Sequence, residues 1–138
     1  MENIVIVGID KDFCITISKQ LSKSIKFKFV NAEEKFQSLL ISTAQESVFL
    51  IDDFLNQKET EILIEILKSK QSIIFVPNDM FLSNKNYKIF KDVKTILIED
   101  DSLNEIMLKI QKGIKNYCKY SINKNNFSLE NLLQIVKG

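Results

Sequence analysis

The side chains best able to do chemistry in this sequence are carboxylates, and they fall where apolar runs stop. Val48-Phe49-Leu50-Ile51 is followed by Asp52 and Asp53. Ile4-Val5-Ile6-Val7 leads through Gly8 and Ile9 to Asp10 and Asp12, and Thr95 to Ile98 ends at Glu99, Asp100 and Asp101. If the runs are buried parallel strands, their carboxyl ends share one rim of a sheet, which is where such folds place their sites. Carboxylates crowded at a rim can raise one another's pKa or offer oxygen ligands to a hard cation. A run such as Glu99-Asp100-Asp101 also suits a plain solvated loop.

Other chemistries are short of residues. There is no histidine, so the commonest general base and metal ligand is missing. All the basic residues are lysine, without the arginine fork that grips phosphate and guanine, and the net charge is +1. Nucleic-acid binding by this domain is therefore not expected. Cys14 and Cys118 stand in no metal-like spacing and read as thiols of a reducing cytoplasm. No metal site is expected. Gly8, a single glycine between a strand and a helix, is too weak a signal for a phosphate or dinucleotide loop. No apolar run reaches membrane-spanning length, and Met1-Glu2-Asn3 lacks the basic start of a signal peptide. The expectation is a cytoplasmic protein that does not engage membrane.

The elements that would position the carboxylates alternate. Asn3 to Val7 reads as a buried strand, and Phe13, Ile17 and Leu21 then recur every fourth residue in an amphipathic helix that Asp10 or Asp12 could cap. Ile25 to Val30 alternates like an edge strand protected by lysines. Asn31 and Glu34 resemble a capping box over a second helix. Val48 to Ile51 reads as a central strand, Asn56 to Lys70 as a third helix, Ser72 to Val76 as a strand stopped by Pro77, and Met80 to Phe90 as a short irregular helix. Thr95 to Ile98 is a fifth strand, and Ser102 with Glu105 caps a helix through Ile114. Five strand–helix units predict a doubly wound parallel sheet between helical layers.

These residues resemble a receiver domain of the bacterial response regulators. The resemblance runs from Asn3 to about Tyr117 and rests on Ile4 to Val7 with Asp10, Asp12 and Phe13, on Val48 to Asp52, and on Glu99 to Ile106. It implies a three-layer α/β/α sandwich, flavodoxin-like, with strand order 2-1-3-4-5. It also implies that Asp52 stands at the phosphoacceptor position, with Asp10, Asp12, Asp53 and Glu99 as an acidic cluster beside it. The departures are as telling: Gly8 and Ile9 replace the family's metal-holding acidic pair, Pro77 and Asn78 its hydroxyl residue, and Glu99 its lysine. Losing that metal and cation removes what neutralises a transferring phosphoryl group.

The resemblance therefore implies a pseudo-receiver in phosphorelay signalling. It would be a non-enzymatic interaction module without cofactor, partnered by a signalling protein or effector domain. A working receiver, phosphorylated on Asp52 with magnesium, and a small flavodoxin-like ligand-binding domain or enzyme are the alternatives. Residues 1–118 would form the receiver-like domain and 119–138 a polar linker plus a short helix. That helix carries Leu129, Leu132, Leu133 and Val136 on one stripe, which must fold back, pair two chains as a homodimer or meet a further domain.

Overall fold

The structure, a computed structural model, describes the backbone of residues 2–44 and 52–138, and their side chains apart from those of 41–44, 52 and 53. Five parallel strands are described: β1 (Ile4–Gly8), β2 (Lys28–Asn31), β3 (Ser72–Pro77), β4 (Lys94–Glu99) and β5 (Tyr120–Asn123). They lie in the order β2-β3-β1-β4-β5. The fold is a three-layer α/β/α sandwich, because every residue of β1 is buried and alternate residues feed opposite faces. Ile4 and Ile6 pack with Ile73, Phe75, Ile96 and Ile98 under α1 (Lys11–Ile25) and α6 (Leu129–Lys137). Val5 and Val7 pack with Ile74, Val76 and Leu97 on the other face. There the cover comes from α2 (Ala32–Ala44), α3 (Asp52–Lys68), α4 (Asn78–Leu82) and α5 (Glu105–Lys115). Burial on both faces is what lets the central strands be unbroken aliphatic runs.

Local signals start the helices. Asp10 caps α1, its Oδ1 accepting from the Phe13 N–H at 3.1 Å, and Asn31 accepts from Glu34 N–H at 3.2 Å ahead of α2. Ser128 accepts from Asn131 N–H at 3.1 Å at the start of α6. Such caps satisfy N–H groups that a helix cannot pair internally. Asn3 fastens the amino edge of the sheet, donating to the Ser69 carbonyl at 2.6 Å and accepting from the Ser72 N–H at 3.0 Å.

The structure corrects the expected layout in several places. The order is 2-3-1-4-5, not 2-1-3-4-5, because β1 lies between β3 and β4. An alternating strand–helix pattern dictates parallel strands but carries no lateral order. The Val48 to Ile51 run lies outside the described residues, and Asp52 and Asp53 form the first turn of α3. The fifth strand comes instead from the stretch read as linker: β5 pairs with β4 in the register Ile98↔Ile122. Ile25 closes α1 rather than joining β2, since Lys26 takes a left-handed conformation as the C-cap. Asn104, not Ser102, caps α5, its Oδ1 accepting from the Met107 N–H at 2.9 Å, while the Ser102 N–H and hydroxyl both donate to Asp100 Oδ1, at 2.9 and 2.6 Å. Met80 to Phe90 divides into α4 and 3-10 turns that are kinked where Asn84 and Lys85 take positive φ.

Candidate functional site at the carboxyl end of the first strand

β1 sends the chain to the α1 face, whereas its neighbours β3 and β4 send it to α4 and α5 on the other. Diverging connections open a crevice above the carboxyl end of β1, the place where doubly wound sheets bind their ligands. Gly8 forms its floor, level with Pro77 on one side and Ile98 on the other. A Cβ on Gly8 would lie 2.6 Å from Cys14 Sγ and 3.0 Å from the Ile98 carbonyl oxygen, so the bare backbone is what lets α1 sit close above β4.

One wall of the crevice is an ion cluster. Lys124 follows β5, and its Nζ lies 2.5 Å from Asp10 Oδ2, 3.8 Å from Asp100 Oδ2 and 5.5 Å from the centre of the Phe13 ring. The Lys124 ammonium, with the Phe13 N–H, holds the Asp10 carboxyl below its ordinary range. Asp100 is also held low, first by the Ser102 hydroxyl. Its backbone is locked by Gln111, which accepts from the Asp100 N–H at 2.8 Å and donates to its carbonyl at 3.2 Å. Across the crevice, a cavity of about 200 Å³ lies beyond β3, lined by Glu33, Gln37, Glu59, Pro77 and Asp79. Lys11 pairs with Glu33 at 2.8 Å. Burial pushes the Glu59 carboxyl up, and its Oε1 is buried without a hydrogen-bond partner. A larger cavity of about 440 Å³, between β2, α2 and α3, is ringed by Lys28, Lys35, Lys58, Glu61 and Glu65 at the amino end of β2. It is remote from the strand carboxyl ends.

Of the expected acidic cluster of Asp10, Asp12, Asp53 and Glu99, no two described members meet. Asp10 and Asp100 meet through Lys124, and Glu99 pairs with Lys115 at 3.2 Å. Asp12 lies in the first turn of α1, and the side chains of Asp52 and Asp53 are outside the described set. Among the described residues, no group of three or more Asp, Glu, Cys or His side chains is placed to hold a metal ion. Leu132 and Val136 of the expected interaction stripe are buried in the core under α1, with Leu133 packed against them and Leu129 half-buried. Lys124 falls in the stretch expected to be a linker, and Glu59 lies within the expected third helix with no role expected of it. No described helix is long and apolar enough to cross a membrane.

Comparison with known proteins shows a fold like that of shikimate kinases. Shikimate kinase from Aquifex aeolicus superposes with a TM-score of 0.74 at 14% identity, covering 99% of this chain and 96% of that one. Shikimate kinase from Acinetobacter baumannii, in complex with shikimate, superposes with a TM-score of 0.73 at 14% identity, covering 99% and 91%. In sequence, the chain is 26% identical over 128 residues to shikimate kinase of Clostridium botulinum (strain Okra / Type B1), spanning 91% of this chain and 74% of that protein. No protein-family profile matches.

These likenesses overturn the receiver resemblance, and with it the phosphorelay role and the non-enzymatic reading. The relatives are kinases, and the strand order differs from the receiver's. The resemblance rested on strand–helix alternation and capping residues, which both folds share.

A kinase phosphate loop has the form strand, Gly-x-x-x-x-Gly-Lys-Ser/Thr, helix. Counting from Gly8, the second glycine, the lysine and the hydroxyl fall at Phe13, Cys14 and Ile15. α1 already begins at Lys11, so Ile9 and Asp10 are the whole connection and the motif positions are wound into helix. Cys14 is fully buried, and burial raises its thiol pKa to about 12. Neither the loop's phosphate cradle nor its magnesium ligand fits these residues, since a two-residue connection leaves no cradle and the Ile15 side chain has no oxygen to offer.

Proposed function

We propose that this chain is a shikimate-kinase-like domain whose chemistry is phosphoryl transfer to a hydroxyl of a small molecule in the crevice above Gly8. The observation that carries the reading is the match to shikimate kinases along 91% of the chain, and the fold likeness supports it. The residues beyond β3 supply an acceptor side: Glu33, Glu59 and Asp79 can receive hydrogen bonds from hydroxyl groups. Glu59, with its carboxyl pushed up by burial, is the group suited to take an acceptor's proton. Lys124 stands on the opposite wall, paired with Asp10, and Lys11 stands beside Glu33; they are the cations nearest the crevice, and a phosphoryl group would have to compete with those carboxylates for them. With a net charge of +1, the partners are small molecules rather than nucleic acid, and the unpaired thiols of Cys14 and Cys118 suit the cytoplasm.

Without the motif's lysine, turnover should fall by at least roughly 10²- to 10³-fold, the cost of removing one preorganised charge-stabilising group. The test is to incubate the chain with ATP, magnesium and shikimate and follow the phosphate ester by phosphorus NMR. Slow ester formation that is lost in Glu59→Gln is expected. Absence of ester, with no thermal protection by shikimate or ATP, overturns the reading.

A further inference from the structure

The cavity between β2, α2 and α3 stands apart from the crevice, and no residue assigned to phosphoryl transfer lines it. At about 440 Å³ it falls within the range of about 300 to 1,000 Å³ in which proteins hold small molecules. Its floor is aliphatic: Val30 and Ile66 are buried there, with Ile62 half-buried beside them. Its rim carries both signs of charge, but they are not equally free. Glu61 is paired with Lys58 at 3.1 Å, and Glu65 with Lys68 at 3.2 Å. Lys28 and Lys35 are exposed and make no ion pair among the described residues. Both also line a neighbouring cavity of about 390 Å³, where Glu34 faces Lys19 and the Lys19 ammonium lies over the Phe29 ring. The two unpaired lysines thus stand where the cavities meet, and they leave the mouth above the aliphatic floor electropositive.

We propose that this cavity binds a small amphipathic anion, a carboxylate whose aliphatic tail lies on Val30, Ile62 and Ile66 and whose head is taken by Lys28 and Lys35. The tail supplies affinity by covering apolar surface, and the head supplies selection, because a neutral or cationic ligand leaves both lysines without a counter-charge. The site is independent of the kinase reading.

The experiment titrates the full chain by calorimetry with octanoate, octylammonium and acetate, which separate the tail from the charge. Octanoate should bind at least about tenfold more tightly than octylammonium, the worth of one hydrogen bond to a charged group. Acetate should give no saturable heat. Lys28→Gln/Lys35→Gln, at two exposed positions, should melt like wild type and lose the preference for octanoate. Lys19→Gln should keep it. Amide chemical-shift changes at Val30, Ile62 and Ile66 locate the tail without any variant. The proposal is wrong if octanoate gives no saturable heat, if octylammonium binds as tightly, or if the folded double variant keeps the preference. A loss in Lys19→Gln alone would move the ligand to the neighbouring cavity and overturn it too. So would binding of a penta-glutamate peptide by a chain that refuses octanoate, since the surface would then serve an acidic protein segment. None of these titrations contains ATP or shikimate, so each result leaves the kinase reading to the ester assay.

Discussion

Gly8 and Cys14 are a pair whose roles are packing rather than chemistry. The glycine has no room for a methyl group, with Cys14 Sγ and the Ile98 carbonyl oxygen both inside normal contact distance of where it would sit. Gly8→Ala should therefore destabilise the fold by about 1 to 3 kcal/mol, the usual cost of overpacking a core. Cys14→Ala in that background should restore part of the loss, because it removes the sulfur but leaves the carbonyl. Chemical denaturation of the two single variants and the double variant checks this. Additive losses would mean that the side chains do not meet. Of the groups at the crevice, Asp10 and Asp100 were legible as rim carboxylates because each follows an apolar run. Lys124 was not, since nothing in Lys-Asn-Asn says that a cation will be returned to the first loop by a strand too short to notice.

At the scale of elements, α6 illustrates what a stripe of leucines can and cannot say. Its periodicity and its Ser128 cap were readable, and so was the need to bury it. Which surface would take it was not, because that depended on β5. This strand is four residues long with one buried side chain, Ile122, set among asparagine and lysine. Its composition reads as loop, and only pairing with β4 makes it a strand. Conversely, Val48 to Ile51, expected as a central strand, lies outside the described residues, and β1, β3 and β4 fill the middle of the described sheet. Leu132 is fully buried against the α1 side of the core. Leu132→Ala should cost about 2 to 5 kcal/mol, seen as a lowered melting temperature. An unchanged melt would mean that α6 does not dock as described.

For the whole molecule, the charged groups make opposing demands on pH. Asp10 and Asp100 titrate below their ordinary value of 3.8 in the folded state, so the unfolded chain binds more protons there. Their contribution is present above that value and is lost as pH falls through their folded values. Glu59 runs the other way. Its folded carboxyl titrates above 4.5, so it favours folding while protonated and weighs against it once pH passes its raised value. Glu59→Gln should thus be more stable than wild type at neutral pH, with the gap closing as pH falls below about 4.5. Melts across that range test the sign, and a gap that widened in acid would contradict it.

Lys94 carries a consequence for how the chain is made. Its ammonium, at the amino end of β4, donates to the Ile135 and Val136 carbonyls at 3.1 and 3.0 Å, fastening the last turn of α6 to a strand about forty residues earlier. The sheet's α1 face cannot be sealed during synthesis until Val136 has cleared the ribosome. Until then Ile4, Phe27 and their neighbours lie open beside a waiting cation, and a nascent chain stalled before α6 would present that face to chaperones.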